Sequence, residues 1–177
     1  MRKLLAISLA TLVAAPALAA DLNVSVEVPK IDVAEYHKPY VAVWIAREDA
    51  SVAANLAVWY QQKNAKDAQS GKDEPGSKWL ADLRQWWRRS GREATLPIDG
   101  VSGATRPVGQ HQLSFSSGKA PLGDLPPGKY SLMVEAAREV GGREVKSIAF
   151  DWPPTQAQSL KAQGSSELGA IALELKP

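Results

Sequence analysis

Apolar and polar residues alternate with a period of two in several short runs along this chain, the mark of strands with one buried face. LNVSVEV (22–28) sets Leu22, Val24, Val26 and Val28 against Asn23, Ser25 and Glu27. YVAVWIA (40–46) is apolar on both faces, as a central strand would be, and NLAVWYQ (55–61) follows an acidic turn at Glu48-Asp49. Further runs are HQLSFS (111–116), YSLMVEAAR (130–138), VKSIAFDW (145–152) and ELGAIALEL (167–175). Turn residues separate them at Leu125-Pro126-Pro127-Gly128, Val140-Gly141-Gly142-Arg143 and Pro153-Pro154. Glu139-Val140-Gly141-Gly142, lying between two alternating runs, predicts a hairpin. About seven short strands with frequent turns predict a mainly β fold, an immunoglobulin-like β-sandwich.

One stretch breaks the period. SKWLADLRQWWRRSG (77–91) places Trp79, Leu80, Leu83, Trp86 and Trp87 on one face of a helix. Ser77 would cap its start and Gly91 would end it. The polar, turn-rich segment before it (63–76) reads as a mobile exposed loop. The pattern therefore predicts one β-sandwich domain over 20–177 with a single inserted amphipathic helix.

The N-terminus follows neither period. Arg2 and Lys3 precede an apolar run from Leu4 to Ala15, and Ala17-Leu18-Ala19 ends it. This is the build of a secretory signal peptide over 1–19, cleaved after Ala19, and the run is too short to span a bilayer. The leader carries two of the 21 basic residues and none of the 19 acidic ones, so the remainder of the chain is neutral. A neutral domain lacks the sustained positive field of a nucleic-acid surface or a polybasic membrane anchor. There is no cysteine, which excludes disulfides, thiolate metal sites, iron–sulfur clusters and a thiol nucleophile. The expectation is a periplasmic protein that is not itself membrane-spanning.

Candidate chemistry concentrates in DGVSGATRPVG (99–109). Consecutive turns would account for Asp99, Gly100 and Pro107, but not for the order Ser102-Gly103-Ala104-Thr105. The run Asp99, two further residues, Ser102, Gly103, Ala104, Thr105 resembles the flavinylation motif of bacterial flavin-carrying proteins. All five fixed positions match, and a chance match in a chain of this length is on the order of one in a thousand. The resemblance implies that a separate flavin transferase, using FAD and a divalent metal, places FMN on Thr105 as a phosphodiester. The residue types suit such an acceptor, because Gly103 and Ala104 leave little bulk beside the Thr105 hydroxyl. Arg106 is placed to meet the residual phosphodiester charge, a weak pairing if exposed.

Taken with HKPYVAVWIARED, LAVWYQ, KWLADLRQWWRRSG, LPPGKYSLMVEAAREVGGRE and FDWPP, the motif lies in a chain similar over nearly its whole mature length to DUF2271, a family of predicted periplasmic proteins. That family is associated with flavin transferases and PepSY-type membrane reductases. The resemblance implies a periplasmic electron-transfer flavoprotein, a redox carrier rather than a stand-alone enzyme, with Asp99, Ser102, Gly103, Ala104, Thr105 and Arg106 at the cofactor. The alternative is a flavin-free immunoglobulin-like binding or accessory module.

Trp86, Trp87 and Arg88 are candidates to flank the flavin, with Trp79 beside them; the same spacing is also met by packing on the sandwich. Arg84, Arg88, Arg89 and Arg92 read either as a solvated flank or as a charge that favours an anionic partner. Asp32, Glu35 and His37 cluster in sequence, but neither His37 nor His111 sits in a ligand-spaced motif, so no metal site is assigned. Ser102 lacks the strand–elbow–helix setting of a hydrolase nucleophile, and no catalytic residue is assigned.

Overall fold

A computed structural model describes residues 20–62 and 76–177. The leader and the polar segment 63–75 lie outside the described residues, as do the expectations placed on them.

The chain forms a mainly β sandwich of two sheets. Its strands are β1 (Asp21–Val28), β2 (Tyr40–Arg47), β3 (Val52–Tyr60), β4 (Ser102–Ala104), β5 (Gly109–Ser116), β6 (Gly128–Ala137), β7 (Arg143–Trp152), β8 (Gln158–Gln163) and β9 (Ala170–Lys176). One sheet runs β5-β1-β9-β8, the other β4-β3-β2-β6-β7. All pairings are antiparallel except that of β3 with β4. Tyr130, near the start of β6, donates its hydroxyl to Pro126 O at 2.7 Å. Such a corner contact is typical of immunoglobulin-like sandwiches.

The alternation in β1 is realised residue by residue, with Leu22, Val24, Val26 and Val28 all inward. Leu22, Val24 and Val26 share a core with Val41, Val43 and Ile45 of β2, Leu132 and Val134 of β6, and Ile171, Leu173 and Leu175 of β9. The doubly apolar character of β2 has a separate cause. Its other face, Ala42, Trp44 and Ala46, lies under a second core made with Val58, Tyr60, Leu80, Leu83, Trp86 and Val101. The helical insertion is therefore a third layer over the five-stranded sheet.

That insertion is not the single helix the periodicity predicts. It is a 3-10 helix (Gly76–Asp82), a short α-helix α1 (Arg84–Arg89) and a 3-10 turn (Gly91–Glu93). Ser77 lies inside the 3-10 helix rather than at its cap, and the α-helix starts where the buried Glu135 carboxylate of β6 accepts the N–H groups of Gln85 and Trp86. Leu80, within the 3-10 helix, and Leu83, just past its end, are both fully buried, while Trp79 is turned out to 53% exposure. Gly91 is required for contact more than for termination, since a Cβ there would lie 2.4 Å from the Trp86 ring. The Trp86 indole N–H donates to Asn55 Oδ1 at 2.9 Å, and Asn55 Nδ2 donates to Ser90 Oγ at 2.7 Å, which ties the helix to β3. Full burial of a tryptophan of about 150–250 Å² contributes roughly 4–6 kcal/mol at about 25 cal/mol per Å².

Two strands escape the pattern. β8 has only Leu160 and Ala162 on its inner face, too little alternation to read. β4 is part of the motif stretch itself. The last strand starts at Ala170 rather than 167, because Glu144 of β7 gathers the preceding turn. Its carboxylate accepts the N–H groups of Ser165, Ser166, Glu167 and Leu168 at 2.7–3.0 Å. The hairpin between β6 and β7 is present, with Arg138 N–H donating to Gly142 O at 3.1 Å.

Two carboxylates thus hold backbone that no secondary structure satisfies. Glu135→Ala strands two amide donors and the Arg143 guanidinium, which donates to Glu135 Oε1 at 2.7 Å. The expected loss is about 3–5 kcal/mol, visible as a lower urea midpoint, with Glu135→Gln retaining part of it. At Glu144, burial raises the carboxyl pKa, but hydrogen bonds from Leu168, Ser165 and Ser166 outweigh it and hold the group well below the usual carboxylate range. A depressed folded value stabilises the fold above the unfolded pKa of about 4.3, and that contribution drains as pH falls below it. Urea midpoints between about pH 6 and pH 3 should therefore fall more steeply in the native protein than in Glu144→Gln.

Candidate functional site

The motif stretch opens with a tight turn. Ile98 O accepts the N–H groups of Val101 and Ser102, and the Ser102 hydroxyl accepts Ile98 N–H at 2.9 Å. Gly100 makes the bend at a φ of +68°, where a side chain would be strained. Asp99 is exposed at the tip and makes no hydrogen bond among the described residues; the hydroxyl of Ser102, not the aspartate, closes the turn.

Past the turn the chain is not free loop. Ser102, Gly103 and Ala104 join the edge of the five-stranded sheet, in parallel register with Val58, Trp59 and Tyr60. Val58 N–H donates to Val101 O at 2.9 Å, and the buried Val101 plugs the core beneath the helical layer. Gly103 lies beside Trp59: a Cβ at this position would stand 3.5 Å from the indole Cδ1. Trp59 in turn has the Arg106 guanidinium 5.4 Å from its ring centroid and the His111 ring edge-on at 5.6 Å. His111 Nε2 is held 2.8 Å from Pro107 O. These contacts close the side of the sandwich between the edge strands β4 and β5.

Thr105 is the first residue beyond β4 and is half-buried. It reaches a cleft of about 530 Å³ at one end of the five-stranded sheet. This volume is in the range of small-molecule sites. The β1–β2 connection supplies Tyr36, His37 and Lys38, and β2 supplies Tyr40. The far wall consists of Trp79 and Asp82 from the 3-10 helix and residues 137–140 from the end of β6 and its hairpin. Tyr40 donates to Gly76 O at 3.2 Å and meets Tyr60 edge-on at 6.4 Å. Burial raises the phenol pKa of both Tyr36 and Tyr40, with the Arg138 guanidinium opposing it at Tyr36. Both are therefore neutral hydroxyls at neutral pH. His37 bridges two carboxylates, its Nε2 3.2 Å from Glu35 and its Nδ1 3.5 Å from Glu139.

The structure brings Asp99, Ser102, Gly103, Ala104, Thr105 and Arg106 into one turn and edge strand, with Thr105 alone of the six at the cleft. It does not bring Trp86, Trp87 or Arg88 there. Trp86 is 0% exposed and has no face left for a ligand. Trp87 is half-buried beside it, with ring centroids 6.4 Å apart, and Arg88 is exposed with its Nε on Arg84 O. Arg84, Arg89 and Arg92 are exposed and likewise outside the cleft. Trp79 is the helical-segment aromatic that does line it. Tyr36, Tyr40 and Val140 carry no sequence signal of a site, because their proximity to Thr105 arises only from the ends of distant strands.

Among the described residues no group of three histidine, aspartate, glutamate or cysteine side chains is placed to hold a metal ion. Among them also, no helix is long and apolar enough to cross a membrane. No curated protein and no solved structure shows significant similarity to the chain. The model of one family, described as predicted periplasmic protein, matches residues 21–170, and the chain therefore belongs to the DUF2271 family.

Proposed function

We propose that this protein is a periplasmic electron carrier that holds FMN covalently through the hydroxyl of Thr105. The observation that carries the reading is the position of that hydroxyl. Thr105 follows a strand fixed by its register on β3, and it opens onto a cleft bordered by Tyr36, Tyr40 and Trp79. An acceptor must be presented on ordered, uncluttered backbone to be brought in line with a phosphoryl group.

In the attachment step a separate transferase presents FAD and a divalent metal. Thr105 Oγ forms a new O–P bond at the FMN phosphorus, the pyrophosphate P–O bond breaks, AMP leaves and the hydroxyl proton passes to a base of the transferase. The bound flavin supplies reversible uptake of one or two electrons. The chain supplies position and environment. Gly103 adds no side chain beside Trp59, and Arg106, over the same indole and one residue on from Thr105, would offer a cation to the phosphodiester. Tyr36 and Tyr40 furnish neutral hydroxyls and ring faces rather than charge. A PepSY-type membrane reductase is the partner that fits such a carrier, which by itself is not an enzyme.

Co-expression with a flavin transferase and export should give a yellow protein whose intact mass rises by one FMN less one water. Thr105→Ala should stay colourless and unshifted, while Thr105→Ser, which keeps an acceptor hydroxyl, should keep the added mass. An equally heavy Thr105→Ala protein would refute the assignment to Thr105. A native chain that gains no mass would favour a flavin-free binding module.

A further inference from the structure

Large hydrophobic side chains in this fold are almost all covered. Among the described residues Val33, Trp79, Val108 and Val140 stand out, at 41%, 53%, 45% and 86% exposure. Two of these four, Trp79 and Val140, line the same cleft as Thr105, on elements more than fifty residues apart in sequence. Exposed apolar groups that converge on one concavity mark a binding surface.

Neither residue is placed there by the needs of packing. Trp79 belongs to a stretch whose neighbours Leu80 and Leu83 are fully buried, yet its own ring is turned outward. The Lys78 ammonium lies 4.6 Å from the ring centroid, a cation over the indole face. Val140 has a φ of +52°, a region that β-branched residues avoid, although two glycines follow it directly. A strained, almost fully exposed valine gains nothing from the fold that a glycine would not supply, and such conflicts gather at functional positions.

The hairpin that carries Val140 is nevertheless rigidly anchored. Arg138 grips Glu167 through two hydrogen bonds of 2.8 and 3.1 Å, with both side chains buried. Gly142 N–H donates to the same carboxylate at 2.8 Å. A side chain at Gly141 would strike the Arg138 guanidinium, its Cβ falling 2.5 Å from Cζ. Val140 is thus presented from a fixed frame.

We propose that Trp79 and Val140 form a clasp for a planar heteroaromatic ring, the tricyclic ring of the flavin held at Thr105. The proposal rests on the attachment reading and adds to it the residues that bind the ring. Indole offers a large flat face and an electron-rich surface to an electron-poor heterocycle. The valine methyl groups add apolar surface to the same cleft without adding a polar group. In this arrangement the ring is held against the protein rather than swinging on its tether, and its orientation toward a redox partner is set.

The test uses the exported protein co-expressed with a flavin transferase, with intact mass measured on each variant so that flavin load is known. Indole contact quenches flavin emission by electron transfer, so the native protein should be dim, with the anisotropy of the whole protein. Trp79→Ala should carry the same mass and emit several-fold more, Trp79→Phe should fall between the two, and Val140→Gly should lower the anisotropy. Val108→Ala, at 45% exposure but outside the cleft, should change neither. A loaded native protein as bright as free FMN, and no brighter in Trp79→Ala, would overturn the clasp and leave the Thr105 attachment standing. A native protein without added mass would overturn both.

Discussion

The third layer of this fold depends on one carboxylate. Glu135 sits on β6 with no exposed surface, pointed into the seam between the five-stranded sheet and the helical segment. A buried carboxylate is tolerable only when its lone pairs are met, and here two backbone N–H groups and the Arg143 guanidinium meet them. The same bonds decide where the α-helix begins. With the helix started at Arg84, the preceding turns wind as a 3-10 helix, Leu80 and Leu83 fall into the core and Trp79 falls outside it. The aromatic wall of the cleft is in this sense a consequence of a side chain on a neighbouring strand.

Sequence and structure agree best where a residue's neighbours along the chain decide its fate. Leu22, Val24, Val26 and Val28 alternate, and the sheet buries each of them. The glycines at 141 and 142 announce a turn, and a hairpin stands there. Disagreement arises where a distant group intervenes. Periodicity treats Ser77 and Gly91 as the ends of one helix, but Glu135, some fifty residues on, fixes the start. It also places Trp79 and Trp86 on one face, which holds only for an unbroken α-helix. β4 is invisible because three small residues have no pattern; their strand character comes entirely from Val58, Trp59 and Tyr60.

The candidate site was legible to the same degree. The stretch from Asp99 to Arg106 declares itself by composition and order, and it does fold as one local unit. The environment of Thr105 does not declare itself, since Tyr36 and Tyr40, Trp79 and Val140 come from three separate places in the chain. Of the aromatic residues read as flanking candidates, Trp86 is fully buried, held by Asn55 and pressed on Gly91, whereas Trp79 lies at the cleft.

The parallel pairing of β4 with β3 has a consequence for the order of events in the cell. Parallel neighbours cannot be joined by a tight turn; the chain must travel back along the sheet first. Here that return path includes the helical layer, which is anchored through Glu135, Trp86 and Val101 in the folded chain. Thr105 is consequently in place only once the crossover has closed. On the attachment proposed above, a transferase that recognises this geometry would act on folded molecules and pass over unfolded ones, so that added mass would report maturation.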